Sequence, residues 1–148
     1  MGEPVVCIFP HSDDEFATAD ELRSFLGDWL SIEESEGRYL LGRLGWKDKD
    51  FKAKVTSGSL VLFRKGKDVV GHAMVREPIR ELDPPEYGKT EHGVPKDYYH
   101  DIIFDPSSVR VYDLSVESLE SWVGHHIKPR FYSILGSRRD YESAFGER

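Results

Sequence analysis

Two apolar runs separated by a short polar loop constrain the fold of this chain more than any other feature. The runs cover residues 60–63 and 69–75, and the loop between them is centred on Gly66. Their β-branched and aromatic content favours an antiparallel hairpin over a helix. Because both runs are apolar at consecutive positions, they are typical of strands covered on both faces. We therefore expect a central hairpin in the wall of a small closed barrel, with Gly71 marking a bulge or a close backbone approach.

The segments before this hairpin predict a strand, a helix and a second strand. Residues 4–9 form a short apolar strand. Thr18 opens a capping-box pattern, and apolar residues then recur at helical spacing, which predicts a helix over residues 19–30. Trp29 lies on the apolar stripe of this helix, so we expect it in the core. A further strand is predicted over residues 38–44.

The second half of the chain predicts a long loop, a second hairpin and two short helices. Residues 83–95 are rich in proline, glycine and charge, which favours a loop. Two strands are predicted over residues 98–104 and 108–112, joined by an Asp-Pro-Ser turn. Ser115 is a suitable residue to begin a helix, and a last helical turn is predicted over residues 141–145. The whole chain, residues 1–148, is thus expected to be one α+β domain.

Charge is segregated along the chain, although the net charge is −7. Residues 1–37 contain ten acidic residues against one basic residue, whereas residues 38–76 contain ten basic residues against three acidic ones. Such a basic block predicts a local positive surface that suits phosphate groups. The alternative is a solvated surface whose charges are balanced by the acidic helix. The block includes Lys47, Lys49, Lys52, Lys54, Arg64, Lys65 and Lys67.

Aromatic residues interrupt two basic stretches. Trp46 lies in the polar segment 45–52, and residues 128–139 combine four basic residues with two aromatic ones. A tryptophan between lysines can serve as a stacking platform for a nucleobase, because every base has a π face and lysine neutralises the adjoining phosphates. These stretches indicate nucleic-acid binding.

The chain resembles the PUA-like superfamily, and within it the EVE and YTH domains. The resemblance is carried by a first strand that leads into a serine-containing loop, residues 5–12, by the Gly-Trp pair at 45–46, and by the hairpin segments 57–63 and 68–75. It covers about residues 5–79. It implies a small mixed β-barrel flanked by short helices, which accepts one extruded and often modified base in an aromatic pocket beside a basic groove.

The resemblance also implies roles for individual residues. Trp46 matches a wall of the base pocket, and Ser12 matches a polar contact near its mouth. YTH domains carry a second pocket tryptophan just past the hairpin, where this chain has Arg76-Glu77-Pro78, so Tyr98 or Tyr99 is expected to supply the second wall. The expected contacts to the nucleic-acid backbone are Arg43, Lys47, Lys49, Lys52, Lys54 and Arg130.

The expected protein is therefore a binding module without catalytic residues, cofactor or metal. Its expected partner is DNA or RNA with a modified base, alongside a nuclease or helicase partner, and the chain is expected to be monomeric. No run of about 18 apolar residues occurs, so no membrane association is expected and a cytoplasmic location follows. Cys7 stands alone in an apolar segment and is expected to be buried and inert.

A metalloenzyme is the main alternative. The segment His11-Ser12-Asp13-Asp14-Glu15 resembles the first motif of the PIG-L-type zinc deacetylases, with serine where those enzymes have proline. This resemblance implies zinc ligation by His11 and Asp14, with Asp13 as general base. The same segment also fits a solvated acidic loop before a helix N-terminus. A protein-interaction barrel without catalysis is the third alternative.

Overall fold

The computed structural model describes residues 2–42, 44, 48–90 and 92–146. The elements follow one another along the chain as β1, α1, a π-helix, a short 3-10 helix, β2, α2, β3, β4, β5, α3, β6 and α4. Their bounds are β1 Val5–Pro10, α1 Ala19–Ser24, the π-helix Phe25–Leu30, the 3-10 helix Glu33–Ser35, β2 Arg38–Leu41, α2 Lys49–Lys54, β3 Leu60–Lys65, β4 Asp68–Lys89, β5 Pro95–Ser115, α3 Val116–Val123, β6 Ser133–Ser137 and α4 Arg138–Phe145.

In the described part of the chain, six strands form one mixed sheet in the order β2-β5-β4-β3-β1-β6. β1 pairs in parallel with β3, and the other neighbours pair antiparallel. The strands β2 and β6 lie at the two ends of this order, and the described pairings do not join them. The protein is thus a mixed α+β structure with an open six-stranded sheet and short helices, and the closed barrel expected from sequence is not shown.

The central hairpin is confirmed, and so is the burial of its strands on both faces. β3 pairs antiparallel with β4 through a turn at Gly66. In the adjacent β1, Cys7 and Phe9 pack into one apolar core, whereas Val6 and Ile8 pack into a second core on the opposite face. Alternate residues of a strand point to opposite faces, so both cores meet along β1 and β3. Cys7 is fully buried, and burial raises its pKa.

Gly71 makes the close backbone approach that its position inside an apolar strand predicts. A Cβ atom at this position would lie 2.1 Å from the carbonyl oxygen of Arg110 on β5. Real Cβ atoms do not approach oxygen so closely, and the obstacle is backbone rather than a side chain that can rotate away. Only glycine therefore lets β4 and β5 come together here.

The predicted loop over residues 83–95 is wrong in most of its length. β4 runs to Lys89 and β5 begins at Pro95, so the two strands form a long hairpin arm, and at its tip the backbone N–H of Thr90 donates to the carbonyl oxygen of Val94 at 2.9 Å. The ladder is interrupted between Glu81 and Glu86. The prolines occupy this interruption, where their missing N–H costs no hydrogen bond.

The predicted second hairpin, over residues 98–104 and 108–112, is also wrong. Both segments belong to the single strand β5. The Asp-Pro-Ser sequence lies at a register shift, because β4 advances from His72 to Met74 while β5 passes from Arg110 to Asp105. The turn-like sequence therefore makes a bulge within one strand instead of a reversal of the chain.

The helix over residues 19–30 is confirmed, but it changes character halfway. Thr18 caps α1 by accepting a hydrogen bond from the backbone N–H of Glu21 at 3.2 Å. From Phe25 to Leu30 the chain continues as a π-helix, whose hydrogen bonds span five residues instead of four. The predicted helix start at Ser115 is confirmed as α3, and the helical turn predicted over residues 141–145 lies within α4, which begins earlier, at Arg138. None of the helices in the described ranges is both long and apolar enough to cross a bilayer.

An ionic network centred on the buried carboxylate of Asp101 holds the hairpin arm against β2. The Asp101 side chain is fully buried and accepts hydrogen bonds from Arg38 at 2.9 Å and from Arg80 at 2.6 Å. Arg38 also pairs with Glu86 at 2.9 Å. Burial alone raises the pKa of a carboxyl group, but the hydrogen bonds from Arg80 and Arg38 outweigh it, so the pKa of Asp101 is lowered.

We predict that Gly71→Ala lowers the free energy of unfolding by about 2 to 3 kcal/mol, because the methyl group forces β4 and β5 apart. Urea unfolding followed by circular dichroism measures the change. Gly27→Ala is the matched control, since its Cβ would meet only a methyl group of Val111 at 3.7 Å. Equal stabilities for the two variants would contradict the close approach.

We predict that Asp101→Asn destabilises the protein by about 2 to 3 kcal/mol at pH 7, because hydrogen bonds to a charged carboxylate are lost. The folded-state pKa of Asp101 is lowered, so its contribution is present above the unfolded pKa of about 3.9 and is lost as the pH falls through the folded value. The stabilities of wild type and variant should therefore converge in acid. Urea unfolding from pH 7 to about pH 2 tests this, and Asp97→Asn, which alters an exposed residue of the same strand, is the control and should change the stability at pH 7 by less than about 0.5 kcal/mol.

Candidate binding site

An aromatic cavity lies between the π-helix, β2 and the tip of the β4–β5 arm. Its volume is about 210 Å³. This volume suits one small ring system, and it lies just below the range of about 300–1,000 Å³ typical of pockets for drug-sized ligands. The aromatic residues that line it are Phe16, Phe25, Trp29, Tyr39 and Tyr98.

Trp29 is exposed on the wall of this cavity, and its predicted place in the core is wrong. Its side chain is 45 % exposed, whereas Leu26 and Leu30 on either side are fully buried. The wider turn of the π-helix explains the difference, because it keeps the two leucines inward and rotates Trp29 outward. Among the described residues no ring or cation stacks on the indole. A signal was present in the sequence, since Gly27 and Asp28 just before Trp29 are poor helix formers.

The charged residues at this cavity differ in whether their charges are already paired with other residues of the fold. Arg38 is already engaged by Asp101 and Glu86. Lys89 is exposed, and its ammonium group has no carboxylate partner in the described part of the chain. Glu15 is half-buried and lies 3.3 Å from the ammonium group of Lys96. Lys89 is therefore the cation available at the rim.

A second cavity, of about 560 Å³, opens next to the first at the end of β1. Ser12, Arg130 and Tyr132 line it, so two residues expected to contact nucleic acid come together here. Lys65 also lines it but is paired with Asp13. Arg130 is exposed and has no acidic partner among the described residues. Because Glu15 lines both cavities and accepts a hydrogen bond from the backbone N–H of Ser12 at 3.2 Å, it joins the two.

His11 is buried between these cavities with both ring nitrogens used by the fold. Since the carbonyl oxygen of Arg64 only accepts, Nδ1 of His11 donates to it at 3.0 Å, and the Tyr39 hydroxyl donates to Nε2. Burial lowers the pKa of His11, so the ring is neutral at pH 7. The ring therefore offers no free nitrogen to a zinc ion, and Asp13 is paired with Lys65. Within the described ranges no three His, Cys, Asp or Glu residues form a metal-ligand group.

The other residues expected in the base pocket do not all lie at the aromatic cavity. Tyr98 lines the aromatic cavity. Tyr99 follows it in β5 and points to the opposite face of the strand, where it is half-buried. Trp46, Arg43 and Lys47 lie outside the described residues, so their expected roles stay predictions.

The expected basic surface is only partly assembled. In α2, Lys49 and Lys54 are exposed and Lys52 is half-buried, and none of the three lines either cavity. Phe51 anchors this helix near the second cavity, since its ring centre lies 5.7 Å from that of Tyr132.

Arg64 does not belong to a positive surface, contrary to expectation. It is 4 % exposed and donates hydrogen bonds to the carbonyl oxygens of Gly66 and Ile127. Burial lowers its pKa. Arg64 therefore has a structural role inside the fold.

The described site thus consists of two neighbouring cavities. The first is aromatic and carries Lys89, and the second is polar and carries Arg130; neither cation has an acidic partner among the described residues.

Comparison of the chain with protein-family models and with curated proteins gives no match.

Proposed function

We propose that this protein is a PUA-like nucleic-acid-binding module that holds one extruded, modified base of DNA or RNA in the aromatic cavity. The observation that carries the proposal is the exposed indole of Trp29 on the wall of a small cavity that Tyr98 also lines. In this proposal Trp29 and Tyr98 are the pocket walls, in addition to the Trp46 wall that the resemblance implies.

The energetics of base extrusion agree with such a cavity. Taking a base out of its stack costs a few kcal/mol. Stacking on an aromatic side chain returns about 1 to 3 kcal/mol per base, so one indole and one phenol ring offset much of the cost. Tyr98 and Trp29 are held by β5 and by the π-helix, so little ordering entropy is lost when a base enters.

Polar groups at the cavity can read the edge of the base. Glu15 is half-buried and accepts hydrogen bonds, as carboxylates do from the amino groups of bases. Ser12 lies in the neighbouring cavity, which Glu15 also lines. We propose that Glu15 and Ser12 contact the edge of the base while the aromatic side chains contact its faces.

Charge favours one path for the nucleic-acid backbone. Lys89 at the first cavity and Arg130 at the second are exposed and without acidic partners in the described residues. Phosphates bound by such cations fix the position of the strand while the pocket selects the base. The lysines of α2, Lys49, Lys52 and Lys54, are proposed to extend this path. We further propose that the module acts as a monomer beside a nuclease or helicase.

We predict that Trp29→Ala weakens binding of a single-stranded oligonucleotide about tenfold, because one stacking contact is lost. Fluorescence anisotropy with labelled DNA and RNA oligonucleotides, with and without modified bases, measures this. Wild-type affinity should fall as salt rises, since phosphate contacts release counterions. Tyr87→Ala is the matched control, because Tyr87 is 81 % exposed and lines neither cavity.

Binding that is absent or independent of salt would contradict the proposal. So would equal affinities of the Trp29→Ala and Tyr87→Ala variants. Trp46→Ala, measured in the same assay, tests separately the wall that the resemblance implies. A retained melting temperature for each variant shows that lost binding is not lost folding.

A further inference from the structure

We infer that a third cavity, beside the aromatic one, docks a basic peptide segment of a partner protein. This cavity has a volume of about 680 Å³ and lies between α1, the π-helix and the tip of the β4–β5 arm. Asp20, Glu21 and Asp28 line it together with the rings of Phe25 and Trp29. The proposed occupant carries a lysine or arginine side chain that enters between these carboxylates and the indole.

The charge of the cavity selects a cation. Three of its lining residues are acidic, and no lysine or arginine is among those that the structure describes there. Asp20 pairs with Arg23, and Glu21 lies 2.8 Å from His92 at the tip of the hairpin arm. Asp28 is exposed, and its carboxylate has no partner in the described part of the chain. An unneutralised carboxylate therefore stands one residue from an exposed indole.

The aromatic wall strengthens this preference. Among aromatic side chains, indole attracts ammonium and guanidinium groups most strongly, because its ring face is electron-rich. Trp29 lines both this cavity and the aromatic one. The carboxylates that attract a cation would repel phosphate, so this cavity does not compete with Lys89 and Arg130 for the nucleic-acid backbone.

The size of the cavity indicates a peptide and not a small amine. A volume of about 680 Å³ is far larger than one ammonium group fills. The cavity is also bounded by apolar rings, which suit apolar residues next to the basic one. A segment that alternates basic and apolar side chains matches both properties.

Anisotropy titration with a fluorescein-labelled peptide of alternating lysine and leucine tests the inference. Wild type should bind this peptide and not an equally long peptide of alternating glutamate and leucine. Asp28→Asn should weaken binding about tenfold, and Glu21→Gln should also weaken it while still accepting the backbone N–H of Ala17 that Glu21 bonds at 2.8 Å. The control is Glu33→Gln with Glu34→Gln, which removes two exposed charges that do not line the cavity.

Three results would overturn the inference. The first is no binding of the lysine peptide by folded wild type. The second is equal weakening by the control pair and by Asp28→Asn, which would show diffuse attraction to the acidic segment. The third is equal affinity for n-butylammonium, which would show a small-cation site. Oligonucleotide binding is measured on the same proteins, and Asp28→Asn should leave it unweakened, so the two proposals stand or fall separately.

Discussion

The parallel pairing of β1 with β3 is the constraint on which the rest of the structure depends. A parallel pair cannot be closed by a tight turn, so the chain between them must cross over and return. Here that crossover contains α1, the π-helix, β2 and α2. It covers the face of the sheet that carries Phe9 and Phe63, while α3 and α4 cover the other face. The site follows from this path, because the crossover places α1 against β3 and β4 and the π-helix against β5.

The carboxyl end of β1 is fixed by a polar contact inside an aromatic cluster. His11 stacks on Phe63 with ring centres 5.7 Å apart, and it bonds to Tyr39 of β2 and to the backbone of β3. Three strands are thus joined at one point, with every polar atom of the imidazole ring satisfied. A buried polar group is costly only when it lacks partners, so this contact can specify the geometry without a large loss of stability. Ser12 and Glu15 follow this fixed point in the chain and line the second cavity, and Glu15 also lines the first.

Short sequence patterns predicted those elements whose conformation depends on residues close together in the sequence. The central hairpin, the Thr18 cap and the Ser115 helix start were predicted because turn chemistry, capping and apolar spacing act over a few residues. The hairpin arm was missed, because its stability comes from pairing between β4 and β5 and from the Asp101 network, which join residues distant in sequence. Prolines in that region argued for a loop, yet they fit an interruption of the ladder.

Only part of the candidate site could be predicted from the sequence. Tyr98 was expected and lines the cavity, whereas Trp29 was assigned to the core. That error has a physical cause, because apolar spacing assumes the α-helical turn throughout. The π-helix alters the angle between successive residues, and no periodic rule fitted to 3.6 residues per turn can place Trp29 correctly. The expected basic surface also differs from the structure, since Arg64 is buried and Lys65 is paired with Asp13.

The exposure of Trp29 carries more weight than that of an ordinary surface residue. Single exposed apolar side chains are common and need no explanation. Trp29, however, lines two adjoining cavities, with Lys89 at one and Asp28 at the other, and neither charge has a partner among the described residues. Charges at the surface act over about 8 to 10 Å at physiological salt, a range longer than the width of one indole ring, so Lys89 and Asp28 influence both cavities. In our proposals the nearer of the two charges sets the preference of each cavity, because Lys89 favours a phosphate beside the first cavity and Asp28 favours a cation in the third.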